Sequence, residues 1–547
     1  IQKGHGLGAI FGNLLKSALP VIKQGAISLG KTALKTGLGV AHDALSGKNI
    51  KQALKDNSQR AGRDILQQAI KSTTQTTKRS NKKKNEKSQL PVLYLHPKLR
   101  DVKHKDQETF FHKMEMIAEN SCLASRHELD LFENPPTSAS VQEGLFIEHN
   151  PVSALDDTSP IKFKVSGDSK YYLDLNASYF YLEVKITKQD GTDIDAGEAV
   201  GPVNLLAHSL FQKADIMLND VLVSNSSNLY HYRAYFETLL SYNNDAKTSQ
   251  LSCALYSKDK AGKMDNIAND NTGLVKRRTY TDASKTVPLI FRLHADVFLQ
   301  NRYLLNGVDL KVNLTRNSNS LVLMAAANSA YKLKIQQASF FVRKVLVNKG
   351  LMLKHISLLE KQLKPAIYPI RKVEMKSYNI ATGSLSWKEE SLFSGILPRR
   401  IVIGLIGAAA FAGAYEKNPF NFEHHNLKFC SLLVDGKMNP LTPITCDFTN
   451  GKYLRNYFSL YKATGKMFTD SGMDIDRTEY SSGYAMLAWN FTPELEDSGC
   501  YHVVKKGDIR LELQFSQALT APVSIVVYSE FDSAIKIDKD KNILPPY

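Results

Sequence analysis

Lys505 to Phe515 reads KKGDIRLELQF. Ile509, Leu511, Leu513 and Phe515 alternate with Arg510, Glu512 and Gln514, and successive side chains of an extended chain point to opposite faces, so this is a strand with one buried face. The same period recurs upstream. Leu182, Val184 and Ile186 alternate with Glu183, Lys185 and Thr187, and Val308, Leu310, Val312 and Leu314 alternate with Asp309, Lys311 and Asn313. Further strands are predicted at 161–165, 203–218, 288–297, 332–347, 371–379, 397–404, 427–434, 484–490 and 524–531. The body is rich in Val, Ile, Thr, Tyr and Phe, residues that suit a pleated, half-buried surface. Many short strands separated by long polar connections predict an all-β body of sandwiches and not a propeller.

A duplication is legible within that body. A strand ending in Leu218, Asn219 and Asp220 precedes a helical stretch with Arg233, Ala234, Tyr235 and Phe236. A strand ending in Val434, Asp435 and Gly436 precedes one with Arg455, Asn456, Tyr457 and Phe458. The shared order of strand, tight turn, loop and R-x-Y-F helix predicts two sandwiches in tandem, spanning 128–348 and 349–547.

The formal charge of +16 is unevenly placed. Residues 1–90 hold 17 Lys or Arg against 4 Asp or Glu, leaving 53 against 50 for residues 91–547. A basic arm on a near-neutral body suits a polyanion, either nucleic acid or an anionic membrane; a solvated tail is the alternative. Leu7, Ile10, Phe11, Leu14, Leu15, Leu19 and Ile22 recur at helical spacing, with Lys16 and Lys23 on the polar side and Pro20 as a kink. Such a face suits a membrane interface or a protein partner, including the chain's own body. A weaker helix is expected over Ile50–Ala69. Lys71, Lys78, Arg79, Lys82, Lys83, Lys84 and Lys87 lie in a linker of almost pure polar residues and suit phosphate contacts without base readout. Residues 91–127 are expected to connect arm and body, with a short helix near 107–118.

Motifs for chemistry are lacking. Gly4, Gly6, Gly8 and Gly12 follow no strand and precede no phosphate-loop Lys. Glu423, His424 and His425 read as strand neighbours on opposite faces, one histidine packed and one exposed, and not as metal ligands. Five widely spaced cysteines, Cys122, Cys253, Cys430, Cys446 and Cys500, form no C-x-x-C pair, so reduced thiols are expected. No nucleophile elbow or zinc-protease motif occurs. The N-x-S/T matches at Asn176, Asn225, Asn313 and Asn490 read as chance, and the run from Ile401 to Tyr415 as a buried strand plus a Gly/Ala-rich loop, too short to span a bilayer. The first residue is Ile1, which reads as a fragment or a processed product. No catalytic residue, metal or cofactor is expected. The alternatives are a jelly-roll binding protein, such as a lectin or nucleic-acid-packaging factor, that does not assemble, and a cupin-type enzyme, which would need clustered His and Glu ligands.

Four segments carry a family resemblance. Val200–Asp220 (VGPVNLLAHSLFQKADIMLND), Asn418–Asn426 (NPFNFEHHN), Phe468–Leu495 (FTDSGMDIDRTEYSSGYAMLAWNFTPEL) and Val503–Asp538 resemble the hexon-like major capsid proteins of Polinton (Maverick) elements and adintovirus-like viruses. The opening GHGLGAIFGNLLKSALPVIKQGAISLGKTALKTG is similar to the small basic core protein X of adenoviruses and such elements. The resemblance implies a double jelly roll of two eight-stranded sandwiches and three copies per pseudo-hexagonal capsomer. It also implies an icosahedral shell with penton or minor capsid proteins as partners, virion localisation, and assembly inside the host cell, in the nucleus. Viral double-stranded DNA or an anionic membrane would be the arm's partner; no small-molecule substrate is implied. A core-protein-like segment fused to a capsid body departs from the family, in which the two are separate chains.

Overall fold

The computed structural model describes residues 129, 131–132, 134–156, 159–224, 227–493 and 501–545. The predicted arm, linker and helix near 107–118 lie outside them. The chain divides into two compact units, Ile1–Asn134 and Pro135–Tyr547, and every described sheet belongs to the second.

Among the described residues, sixteen strands build the two sandwiches of that unit, beside three two-residue strands, Gly201–Pro202, Leu323–Met324 and Ile543–Leu544. The first eight are β1 (Val141–His149), β2 (Ile161–Val165), β3 (Tyr171–Lys188), β4 (Phe211–Leu218), β5 (Val221–Leu222), β6 (Val287–Phe291), β7 (Leu310–Arg316) and β8 (Tyr331–Val347). The next eight are β9 (Ala366–Ile380), β10 (Ser386–Ile396), β11 (Arg400–Gly407), β12 (Leu427–Val434), β13 (Lys437–Thr445), β14 (Met486–Asn490), β15 (Lys506–Phe515) and β16 (Val523–Ile537). Their sheets run β1-β8-β3-β6 and β2-β7-β4-β5, then β9-β16-β11-β14 and β10-β15-β12-β13. The second pair repeats the first with every strand advanced by eight places, and all pairings are antiparallel. This is the jelly-roll order twice over, a double jelly roll.

Each sandwich has its own core. Phe163, Phe180 and Phe340 fill the first, Phe180 stacked on Phe340 at 4.1 Å. Ile509, Leu511, Leu513 and Phe515 fill the second with Ile401, Ile403 and Val527. Each such side chain contributes about 1.5–3 kcal/mol by leaving water. The β4–β5 and β12–β13 hairpins turn on two residues each. Asn219 and Asp220 have φ of 45° and 64°, and Asp435 and Gly436 have 49° and 77°, as a two-residue hairpin turn that follows the strand twist requires.

Several boundaries differ from expectation. The segment 203–218 is not one strand: Leu206–Ser209 is a helical turn, and pairing begins at Phe211. Asn204 holds that turn, its side-chain oxygen accepting from the Leu205 and Ser257 amides while its carbonyl accepts from the Ser209 hydroxyl. The predicted strand at 288–297 stops at Phe291, before a short 3-10 turn at Asp296–Phe298. After β11, the Gly/Ala-rich loop is instead a helical turn, Ala408–Ala412, closed by Gly413 at φ 91°. Alanine favours helix, and glycine accepts the left-handed position that ends it. A capped helix, Lys349–Glu360, connects the two sandwiches.

Candidate assembly surfaces

The two R-x-Y-F stretches occupy corresponding places. Arg233, Tyr235 and Phe236 lie in helix α1 (Tyr230–Ser241), in the connection from β5 to β6. Arg455, Tyr457 and Phe458 lie in helix α2 (Leu454–Ala463), in the connection from β13 to β14. Their surroundings differ.

Helix α1 is buried on all sides and covers the outer face of the β9-β16-β11-β14 sheet. That face alternates with the inner one: Ile401, Ile403 and Val527 point into the second core, while Val402, Val526 and Tyr528 share a third core with Tyr232, Tyr235, Phe236 and Leu239 of α1. Phe420 and Phe422 wedge between them, Phe420 stacked on Tyr235 at 4.0 Å and Phe422 on Phe236 at 5.1 Å. Gly404 makes room, because a Cβ there would strike the Phe422 ring and come within 3.3 Å of Phe236 Cζ. The third core therefore draws on both sandwiches and locks them side by side.

Two polar knots sit in this seam. Arg233 donates to Glu237 (2.9 Å) and Asp296 (2.6 Å), His294 Nδ1 lies 2.6 Å from Glu237, and Tyr528 donates to Glu530 at 2.9 Å. Burial pushes the Asp296 carboxyl up against the pull of Arg233. At Glu237 burial also pushes up, but Arg233 and His294 outweigh it and hold the carboxyl at about 2. In the second knot, Asp259 is enclosed with Arg277, which donates to it at 2.7 Å. Asn271 and Asn418 donate to its two carboxylate oxygens at 2.9 and 3.0 Å, and the Tyr484 hydroxyl to its carbonyl at 2.7 Å. Full pairing is what a buried charge needs.

Helix α2 is buried on one side only. Asn456, Leu460 and Ala463 face inward, and the Tyr457 hydroxyl donates to the Ile475 carbonyl at 3.0 Å. Arg455 is exposed and donates to the Thr442 and Pro443 carbonyls. Leu454 is 50% exposed and Phe458 38%. Phe468, 92% exposed, meets Phe458 edge-on at 6.3 Å. A second apolar strip crosses the outer face of the β1-β8-β3-β6 sheet. Tyr179 on β3 stacks on Phe341 of β8 at 5.0 Å and touches Phe146 of β1 at 5.7 Å, and Ile290 of β6 pairs with Tyr181 in the register. Phe146 is 51% and Ile290 44% exposed.

His424 and His425 are not on a strand. They lie in a turn before β12, with His425 at φ 45°. Neither is exposed: His424 stacks on Phe448 at 4.1 Å and accepts from the Asn426 amide through Nδ1, and His425 is half-buried. Among the described residues no three His, Cys, Asp or Glu side chains are grouped as metal ligands. Cys430 and Cys446 are buried free thiols and Cys253 an exposed one. The arm residues Lys71, Lys78, Arg79, Lys82, Lys83, Lys84 and Lys87, and the face of Leu7, Ile10, Phe11, Leu14, Leu15, Leu19 and Ile22, lie outside the described residues. Sequence reasoning missed Asp259 and Arg277, which belong to no motif. In NPFNFEHHN, Asn418, Phe420 and Phe422 bind the seam, and the histidines that drew attention do not.

No family model matches the chain. An uncharacterized Caenorhabditis elegans protein is 26% identical over 427 residues, covering 75% of this chain and 98% of that protein. Among solved structures, the fold is similar to a chain of the Sputnik virophage particle (TM-score 0.54, 13% identity, 78% of this chain and 93% of that one). The PBCV-1 virus capsid aligns with TM-score 0.46, 12% identity and coverage of 74% and 97%. The mavirus major capsid protein aligns with TM-score 0.43, 13% identity and coverage of 84% and 96%.

Proposed function

We propose that this chain is the major capsid protein of a double-stranded DNA virus or virus-like mobile element of the Polinton (Maverick) and adintovirus-like kind. The observation that carries the reading is the doubled jelly-roll order in one chain, its halves fused by a shared buried core. Likeness to a virophage particle chain supports it, and a relative encoded by a nematode is in keeping with an element resident in animal genomes. In this reading three copies place six sandwiches around one axis as a capsomer. Capsomers then tile an icosahedral shell with penton or minor capsid proteins, in the virion, after assembly in the host nucleus. The work is done by burial between copies; no residue is assigned to catalysis, and no cofactor or small-molecule substrate is assigned. Residues 1–90, with 17 basic and 4 acidic side chains, would face inward onto genome or an anionic membrane.

The arm's share is tested by removing residues 1–90. Assembly seen by electron microscopy should persist, while DNA retention that weakens steeply with salt should disappear. DNA binding unchanged by the truncation would contradict a packaging arm. Retained leakage of anionic vesicles by a peptide of residues 1–35, with no DNA binding by the full chain, would assign the arm to membrane instead.

A further inference from the structure

Within one chain, the helix between the fifth and sixth strands of a sandwich lies on the outer face of a neighbouring sandwich. Helix α1, from the first, covers β9-β16-β11-β14 of the second. The chain's own repetition supplies the two halves of a further contact of this kind and leaves both open. Helix α2, in the corresponding connection of the second sandwich, presents Leu454 and Phe458 outward, extended by Phe468. The β1-β8-β3-β6 sheet, counterpart of the one α1 covers, leaves its aromatic strip uncovered by any described element.

We infer that α2 of one copy docks on the outer face of the β1-β8-β3-β6 sheet of a second copy, repeating between molecules the contact α1 makes within one. The inference rests on the self-assembly reading and specifies its contact. Charge supports the choice of occupant. Residues 452–466 carry four basic side chains, Lys452, Arg455, Lys462 and Lys466, and no acidic one. On the sheet, Lys185 and Arg343 are paired with Asp193 (2.8 Å) and Asp174 (2.6 Å), whereas Glu148 and Glu183 flank the aromatic strip with no described cation paired to either, each accepting from a neighbouring hydroxyl, of Ser339 (2.7 Å) and Tyr181 (2.6 Å). Apolar anchors ringed by opposite charge set affinity and register respectively. Because the two surfaces differ, each docked molecule still offers one of each, so the contact propagates until a ring closes.

The experiment is sedimentation analysis of the full chain with two double variants on exposed positions. Leu454→Glu with Phe458→Glu removes the helix side, and Phe146→Glu with Ile290→Glu removes the sheet side. Each alone should weaken association roughly thirtyfold or more, as loss of a central anchor does. An equimolar mixture should recover a species of two copies and no larger one, since one intact contact remains. As a check that needs no apolar change, Glu148→Lys with Glu183→Lys should weaken association, and adding Lys452→Glu with Lys462→Glu in the same chain should restore it. Wild-type assembly that survives either apolar double variant, or a mixture that stays monomeric while both variants keep wild-type melting curves, overturns the inference and leaves self-assembly standing. A wild-type chain that never associates overturns both.

Discussion

Asp259 shows how far the seam depends on single residues. It comes from the first half of the chain, and Asn418 and Tyr484 of the second complete its hydrogen bonding. Nothing in local sequence marks it, because its partners lie about 160 and 225 residues away. By contrast, Asn219-Asp220 and Asp435-Gly436 are legible, since the turn chemistry is local. His231 makes a sharper test. It is fully enclosed in α1, neither ring nitrogen has a described partner, and burial pushes its pKa down to about 3. Its folded pKa is below the unfolded value near 6.5, so the stability tied to its neutral form is complete above pH 6.5. That stability is lost as pH falls toward 3, at about 1.4 kcal/mol per pH unit. Urea unfolding of His231→Phe should show a pH slope between 6 and 4 shallower by that amount; an unchanged slope would mean the ring is hydrated or paired.

Elements were legible where burial alternates cleanly or both sides of a strand are paired. The predicted strands at 427–434 and 332–347 match the central strands β12 and, to one residue, β8, and 161–165 coincides with β2, an edge strand whose side chains alternate strictly between buried and exposed. The strands without a prediction, β1, β5, β10 and β13, are all sheet edges. Edge strands bury less and so alternate less clearly, and β13 carries Pro440 and Pro443, which a central ladder would reject. The R-x-Y-F match located two corresponding helices, but not their difference in burial, which depends on what each helix lies against. At the α1 contact, Gly404 sets how closely helix and sheet approach. Gly404→Val should push Phe422 and Phe236 off β11 and cost about 1–3 kcal/mol, read as a lower unfolding midpoint. A midpoint equal to wild type would show that the aromatic wedge is not tightly packed there.

At the scale of the molecule, the period-two pattern and the repeated turn and helix were enough to anticipate two sandwiches in tandem. Their fusion was not visible, because the seam is assembled from an insertion of one sandwich and the outer sheet face of the other. Outer-face residues such as Val402 and Val526 look like continuous apolar runs in sequence, the mark of a strand buried on both faces. That the β1-β8-β3-β6 sheet is instead half-open, with Glu183 and Lys185 alternating with buried Val184 and Ile186 along β3, is the difference on which the proposed docking between copies turns. The most direct measurement is the mass of the full chain in solution at neutral pH, by sedimentation or native mass spectrometry across a range of concentrations. A capsid role predicts a discrete species of three 61.1 kDa chains, alone or built into rings and shells. A species that remains a single 61.1 kDa chain at high concentration would contradict it.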